Sequence, residues 1–162
     1  MKVLWLFNHP APYKIDFFNE LGKNVEPTAI FERTSEGDRP KAFYYEQAKN
    51  FKEIILPSLK IVNYNNLCPC IIKQLRQNPF DLIVVNGWST FTEMKVIRYL
   101  RRHKIPYIFA INGGIAKENE PIWKKHLKEK YLPGAKSYLS PDEASSSYLT
   151  YYGVDPKAIR LY

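Results

Sequence analysis

The chain has 162 residues, of which 45% are apolar and 25% are charged. This composition is typical of a folded protein the size of one domain and excludes an intrinsically disordered chain. No apolar run approaches the roughly 20 residues that span a bilayer, and the apolar run at residues 3–7 is too short for a signal peptide. Cys68 and Cys70 are too close together for an unstrained disulfide bridge and too few for a structural zinc site. A reducing cytoplasm is therefore the expected location.

The charge balance favours anionic partners. Lysine and arginine number 24 against 16 acidic residues, a net charge of +8, which suits nucleic acid, phosphorylated molecules or an acidic membrane surface. The basic residues concentrate in and beside two predicted helices: Lys95, Arg98, Arg101, Arg102 and Lys104 at the first, and Lys117, Lys124, Lys125, Lys128 and Lys130 at the next. They form either an ordinary solvated face or a surface for anionic lipid. Nucleic acid is not the expected partner, because no recognised nucleic-acid motif accompanies the charge.

Apolar runs typical of buried strands alternate with segments of helical periodicity. The predicted strands are residues 2–7, 28–31, 53–56, 81–85, 106–111, 135–139 and 157–161. The predicted helices are residues 12–22, 66–77, 90–103, 121–133 and 140–153. One connection, residues 32–52, is long and lacks a clear pattern, as functional or disordered loops do.

Helix boundaries carry their own signals. Pro12 suits the first position of a helix, and Gly22 suits its end. Thr90 and Glu93 have the spacing of a capping box, in which each residue's side chain bonds the other's backbone N–H.

A similar signal opens the last predicted helix. Ser140 is expected to be its N-cap, with Pro141 in the first turn and Glu143 as the capping-box acid.

The strict rotation of strand and helix predicts an α/β fold: one Rossmann-like domain over residues 1–162, with a doubly wound, mostly parallel sheet of about seven strands. The last predicted strand reaches the end of the sequence with no helix behind it. We therefore expect the chain to be part of a longer protein.

Three loops that follow predicted strands begin with an asparagine: Asn8, Asn86 and Asn112. Parallel sheets bind ligands at the carboxyl ends of their strands, and an amide side chain both donates and accepts hydrogen bonds, which suits sugar hydroxyls. Asparagine is also a common turn residue, so one such loop alone indicates little. The three together favour a polar cleft.

Several other kinds of site lack their signatures. The first strand is followed by no glycine-rich dinucleotide loop, and the chain has no P-loop. The segment from Gly87 to Phe91 approaches the nucleophile elbow of hydrolases but lacks its final glycine. His9, His103 and His126 do not have metal-ligand spacing, so no metal is expected. His9 follows a strand and is either a general base or substrate-binding residue, or a structural turn residue.

The order of these segments resembles a known family. The segment Asn8-His-Pro-Ala-Pro-Tyr-Lys14 leads into Phe17-Phe-Asn-Glu-Leu21, and Asn112-Gly-Gly114 and Tyr152-Gly-Val-Asp-Pro-Lys157 follow later. Over essentially its whole length the chain resembles the amino-terminal domain of bacterial family 4 (group 1) glycosyltransferases.

The resemblance implies the two-lobed GT-B architecture, with this chain as the acceptor-binding lobe. The absent carboxyl-terminal lobe, which has a Glu-x7-Glu motif in that family, would hold a nucleotide-sugar donor, with no cofactor and no metal. Transfer would retain the anomeric configuration. The acceptor would be a saccharide or a lipid-linked saccharide, in cell-surface polysaccharide synthesis. The protein would lie in the cytoplasm, with possible peripheral contact between its basic helices and the inner face of the membrane. The chain alone would be inactive.

The resemblance also implies residue roles. Asn8, His9 and Tyr13 would shape the floor of the cleft, with His9 the candidate catalytic residue. Lys14 stands where the family often has arginine. The loop after Asn112 would bring the backbone N–H groups of Gly113 and Gly114 near the donor phosphate.

On the acceptor side, the resemblance implies that Asn86 and Trp88 line the site and that Glu120 bonds an acceptor hydroxyl. Two alternatives remain at this point: a non-enzymatic ligand-binding or regulatory α/β domain, and a basic domain associated with nucleic acid.

Overall fold

The computed structural model describes residues 1–34, 49–62, 65–117 and 119–162. The strands are β1 (Lys2–Phe7), β2 (Glu26–Phe31), β3 (Lys52–Ile55), β4 (Leu59–Val62), β5 (Asn65–Leu67), β6 (Leu82–Asn86), β7 (Ile108–Ala110), β8 (Ser137–Ser140) and β9 (Ile159–Leu161). The helices are α1 (Pro12–Leu21), α2 (Ile71–Gln77), α3 (Phe91–Arg102), α4 (Ile122–Tyr131) and α5 (Glu143–Tyr151), and a short 3-10 helix, Pro156–Ala158, precedes β9. None of the described helices is long and apolar enough to cross a membrane.

Seven of the described strands form one sheet in the order β3-β2-β1-β6-β7-β8-β9. Every neighbouring pair in it is parallel, which confirms the predicted doubly wound fold. The strand order reverses between β1 and β6, the place where such sheets bind ligands. Because all the strands run the same way, the loops after β1, β6 and β7 leave the same edge of the sheet.

The two faces of the sheet are covered differently. On one face, Leu6 and Val85 pack with α3 and α5 residues such as Ile97 and Leu149. On the other face, which we call the α1 face, Ile15 and Phe18 of α1 pack on Phe7, Ala29 and Phe31.

The α1 face continues beyond α1. There Val84 and Ala110 are buried, Leu82, Ile108 and Leu139 are half-buried, and this cluster contains no residue of the described helices. The part of this face that the described helices leave uncovered borders the candidate site described below.

Gly22 ends α1 as predicted, but for a different reason from the expected one. Its backbone is right-handed, with φ at −65°, so no left-handed turn requires a glycine here. A Cβ atom at this position would lie 1.9 Å from the carbonyl oxygen of Asn50. Close passage of the chain that enters β3 therefore explains the glycine. Of the predicted long connection 32–52, residues 35–48 lie outside the described residues.

The predicted helix 66–77 starts later than expected, at Ile71. Residues 65–67 instead form β5, which pairs antiparallel with β4 in a two-stranded ribbon that sequence analysis did not predict. The N–H of Cys68 then donates to Thr92 Oγ1 at 3.0 Å. This backbone group is bonded to α3, so a helix running through residues 66–70 was the wrong prediction.

The N-cap of α5 is Asp142, not the expected Ser140. The carboxylate of Asp142 accepts from Ser145 N at 2.6 Å, which holds the pKa of Asp142 below its ordinary value. Ser140 is the last residue of β8, Pro141 precedes the cap, and Glu143 is the first helical residue.

The capping box of α3 is present as predicted. Glu93 N donates to Thr90 Oγ1 at 3.1 Å, and Thr90 N donates to Glu93 Oε2 at 2.9 Å.

Candidate ligand-binding cleft at the strand ends

The structure brings the asparagine loops together around one cavity. Asn86 and Asn112 line a cavity of about 260 Å³ whose opposite wall is α1, with Tyr13 and Lys14. We call this the asparagine cavity. Phe17 of α1 is also part of the lining, and the remaining walls are apolar: Trp5, Phe7, Leu139 and Tyr162. Apolar walls with a few polar groups are typical of small-ligand sites.

Asn8 is connected to the cavity through Lys14. The Lys14 side chain is only 3% exposed, and its Nζ donates to Asn8 Oδ1 and to the carbonyl oxygen of His9, each at 3.0 Å. The same ammonium lies 4.7 Å from the centre of the Phe7 ring. A lysine held in this way brings a fixed positive charge to the cavity wall.

Trp5 leaves a hydrogen-bond donor at the cavity wall. Its indole ring packs edge-on against Phe17 and Phe18. Its buried Nε1 has no hydrogen-bond partner among the described residues. Since a buried donor without an acceptor is costly, a ligand oxygen or a water molecule next to this indole would be stabilised.

His9 is buried, at 6% exposure. Its carbonyl oxygen accepts from Lys14 Nζ and from Ala11 N, and its own N–H donates to Asn8 Oδ1 at 2.9 Å. Through these contacts the backbone of His9 stabilises the loop after β1. The catalytic role of its imidazole stays a prediction.

The two glycines after Asn112 differ in their surroundings. Gly113 has a φ of +138°, and in the described part of the chain no atom would lie within 4 Å of an added Cβ, so its backbone has open space beside it there. A Cβ at Gly114 would lie 2.7 Å from the ring of Tyr148. Packing against α5 therefore explains Gly114, and only Gly113 has room for a ligand beside it.

Trp88 and Glu120 lie in a different place from the asparagines. They border a groove of about 620 Å³ together with Trp123 and Lys124 of α4. We call it the tryptophan groove. The resemblance implies that Asn86 and Trp88 both line the acceptor side, whereas in the structure they border two different depressions.

Both carboxylate oxygens of Glu120 are engaged within the fold. Lys128 Nζ lies 2.7 Å from Oε2, and the hydroxyl of Tyr152 donates to Oε1. These two hydrogen bonds lower the pKa of Glu120. Although burial acts to lower the pKa of Lys128, its bonds to Glu120 and Tyr152 hold it above the ordinary value. The group thus fastens the segment before α4 to α5, and contact with an acceptor stays a prediction.

Sequence analysis missed a pair of buried acids behind the loop that carries Asn86. Thr90 Oγ1 donates to Glu32 Oε1 at 2.7 Å, and Glu93 Oε2 accepts from Thr90 N and from Ser89 Oγ. Glu32 and Glu93 are 1% and 2% exposed. Burial raises the pKa of both, and the charge of Glu93 raises that of Glu32 further.

This pair ties the end of β2 to the start of α3 and so fixes the loop of residues 86–90. The available signal was an acidic residue, Glu32, directly after a buried strand. Within the described part of the chain, no group of three or more histidine, cysteine, aspartate or glutamate residues is placed to hold a metal ion. That the chain binds no metal stays a prediction.

Comparison with known proteins shows a likeness to solved structures. HepE of Anabaena matches in its complex with UDP and glucose and in its complex with UDP-glucose, each at 15% identity with a TM-score of 0.64. UDP-GlcNAc 2-epimerase from Methanocaldococcus jannaschii matches at 17% identity with a TM-score of 0.58. No protein-family model matches the chain, and no curated protein does.

These matches cover 99% of this chain but only 43% of HepE and 45% of the epimerase. The chain thus spans less than half the length of the structures it matches. At such low identity the likeness shows the fold alone, a Rossmann-like α/β domain. Membership of family 4 is not shown.

Proposed function

We propose that the chain is the acceptor-binding half of a GT-B glycosyltransferase, which moves a sugar from a nucleotide-sugar donor to a saccharide or a lipid-linked saccharide. The observation that carries the proposal is the asparagine cavity, where Asn86 and Asn112 at the ends of the neighbouring parallel strands β6 and β7 face α1 with its buried Lys14. Two of the similar structures support it, since they are complexes of HepE with UDP and glucose and with UDP-glucose.

In this proposal the asparagine cavity binds the acceptor. The amides of Asn86 and Asn112 bond sugar hydroxyls, Trp5 Nε1 donates to a ring or hydroxyl oxygen, and the exposed ring of Tyr13 covers one sugar face. The backbone of Gly113 faces the donor phosphates, because only this glycine of the pair has open space beside it. Lys14 supplies positive charge near the sugar that is transferred.

The finer features follow the family that the sequence resembles. Transfer retains the anomeric configuration without a metal or a cofactor, the product belongs to a cell-surface polysaccharide, and a second lobe outside these residues holds the donor. The coding sequence is then expected to continue past Tyr162 into a second Rossmann-like lobe with paired glutamates. A stop codon directly after Tyr162 would remove this proposal.

The cavity itself is tested by NMR titration of the chain with oligosaccharides and with UDP-glucose. We expect saccharides to shift the amide signals of Asn86, Asn112 and Tyr13, and Asn86→Ala or Asn112→Ala to weaken the binding about tenfold, the loss of one or two hydrogen bonds to the ligand. Asn24→Ala, at an exposed position after α1, is the matched control.

The alternative functions give different results in the same titration. Micromolar binding of a nucleotide or another small ligand, with no response to saccharides, would favour a ligand-binding or regulatory domain. The fold alone does not separate a transferase from an epimerase. If the longer protein converts the nucleotide sugar without any acceptor, its activity is epimerisation and the proposed sugar transfer is wrong.

A further inference from the structure

The two buried acids lie behind the loop of residues 86–90, which borders both depressions of the surface. Asn86 lines the asparagine cavity, and Trp88 and Ser89 line the tryptophan groove. The loop joins the end of β6 to the start of α3. Its position therefore determines the shape of the cavity and of the groove.

Glu93 holds this loop from the α3 side. Its Oε2 accepts from Thr90 N at 2.9 Å and from Ser89 Oγ at 3.4 Å. Its Oε1 lies beside Gly87, where an added Cβ atom would come within 3.1 Å of this oxygen. Donors that point at a carboxylate stabilise its ionised form, so Glu93 is the acid of the pair that carries a charge.

Glu32 has the surroundings of a neutral acid. Its Oε1 accepts from Thr90 Oγ1 at 2.7 Å. Its Oε2 is buried and has no hydrogen-bond partner among the described residues. Because a buried charge without a donor costs much more than a buried neutral group, the geometry places the proton of the pair on Glu32.

Other titratable groups act on Glu32. The charge of Arg33 acts to lower its pKa, but burial and the charge of Glu93 outweigh this effect. Cys68, whose Sγ donates to the carbonyl oxygen of Glu32, stays a neutral thiol, since burial raises its pKa to about 11. The neighbouring loop after β1 and α1 add two further titratable groups, His9 and Lys14.

We propose that Glu32 and Glu93, which both bond Thr90, form a pH-dependent switch for ligand binding at the asparagine cavity. While one of the two carboxyls keeps its proton, the pair holds the loop of residues 86–90 in the observed position. Loss of that proton leaves two negative charges on carboxyls that bond the same residue. Their repulsion, and the cost of a buried charge on Glu32 Oε2, release the loop.

The direction of the effect follows from the proton. The held loop keeps a proton that the released loop gives up, so ligand binding favours proton uptake and the affinity falls as the pH rises. A held fraction of about one in ten at high pH weakens the apparent affinity about tenfold. The switch rests on the proposed function, since it acts on the same cavity.

The experiment compares pH 6 with pH 9, on either side of the pKa of Glu32, about 8. Without a ligand, amide hydrogen exchange, corrected for base catalysis, gives the protection of Thr90 N–H. We expect this protection to fall about tenfold more than that of Leu4 N–H in the central strand β1. With a ligand, calorimetric titration uses cellotriose and maltotriose, which are uncharged at both pH values. We expect binding to be about tenfold weaker at pH 9.

The test variant is Glu32→Gln, which keeps an oxygen for Thr90 but does not ionise. It should reduce both changes with pH to less than about twofold, with His9 and Lys14 still in place. The matched control is Glu53→Gln in β3, which removes another acid whose pKa burial raises. It should show the same pH dependence as the native chain. Circular dichroism checks that both variants are folded, and the native chain decides the result if one is not.

Three results would overturn the switch and leave the proposed function intact. One is equal affinity for an oligosaccharide at pH 6 and pH 9. Another is a fall in affinity that Glu32→Gln retains. The third is a loss of protection as large in β1 as at Thr90, which would mean that the whole fold loosens rather than the loop. If neither oligosaccharide binds at either pH, the failure is that of saccharide binding itself, and the switch falls with it.

Discussion

The ammonium of Lys14 lies 3.0 Å from Asn8 Oδ1 and joins the first turn of α1 to the loop that follows β1. The lysine is buried, and its ammonium donates to the amide oxygen of Asn8 and to the backbone carbonyl of His9. Each acceptor has one further donor: His9 N for the side chain of Asn8, and Ala11 N for the carbonyl of His9.

Replacing this lysine should therefore destabilise the chain without unfolding it. Lys14→Met keeps the length of the side chain but removes the bonds of the ammonium to Asn8 and His9, and we expect a loss of about 1–2 kcal/mol in the free energy of unfolding. Urea denaturation measures it. Lys23→Met, at an exposed lysine that pairs with Glu20, should cost less than about 0.5 kcal/mol. Equal losses in the two variants would contradict the structural role of Lys14.

The buried acids predict an unusual dependence of stability on pH. Burial and the charge of Glu93 raise the pKa of Glu32 from 4.5 to about 8. Between these two values the folded chain holds a proton that the unfolded chain releases. The free energy of unfolding should therefore fall as the pH rises from about 5 to about 9.

Glu32→Gln should reduce this fall by more than about 1 kcal/mol, the worth of roughly one pKa unit, while its amide oxygen still accepts from Thr90. The measurement is urea denaturation across this pH range. Glu20→Gln, at an exposed acid, should leave the profile unchanged. A Glu32→Gln profile parallel to that of the native chain would show that Glu32 stays ionised in the fold.

The hydroxyl of Thr90 makes two hydrogen bonds. Removing it should therefore lower the free energy of unfolding by more than the removal of an ordinary N-cap side chain does. It accepts from Glu93 N and donates to Glu32. Thr90→Ala removes the cap, worth about 0.5–2 kcal/mol, and leaves the buried Glu32 without this donor. We expect a loss of about 2–3 kcal/mol by thermal or urea unfolding.

Thr90→Ser keeps the hydroxyl and is the control, with an expected loss below about 1 kcal/mol. If serine proves as costly as alanine, the methyl group of Thr90 rather than its hydrogen bonds determines the stability.

The capping box of α3 was predictable because its signal lies within four consecutive residues, from Thr90 to Glu93. The parallel sheet was predictable because each strand is an apolar run of its own. The N-cap of α5 was not predictable, since serine and aspartate are both preferred N-cap residues and the sequence has Ser140 and Asp142 close together. Pairing with Leu161 of β9 extends β8 through Ser140 and leaves the cap to Asp142.

Part of the candidate site was predictable from the fold class. The asparagine loops meet because their strands are neighbours, which follows from the fold class. The bond from Thr90 to Glu32 joins residues 58 positions apart, so no local pattern could show it. The separation of Trp88 from Asn86 likewise depends on the tertiary packing around Trp88.

Gly114 offers a test of the packing beside the site. An added Cβ would lie 2.7 Å from two atoms of the Tyr148 ring, and Tyr148 is a core residue of α5 that is 7% exposed. Gly114→Ala should therefore displace the ring and cost about 1–3 kcal/mol, as overpacking usually does. Gly113→Ala meets no atom within 4 Å but imposes a side chain on a φ of +138°, and its expected cost, about 1–2 kcal/mol, comes from the backbone alone.

A double-mutant cycle separates these two causes. Tyr148→Ala removes the ring, so adding Gly114→Ala to it should cost at least about 1 kcal/mol less than in the native background, whereas adding Gly113→Ala should cost the same in both. Urea denaturation of the six proteins gives both coupling energies. Additive losses for Gly114 and Tyr148 would mean that the ring is not what requires a glycine there, and the backbone of Gly114 would then have to be reconsidered as open to a ligand, like that of Gly113.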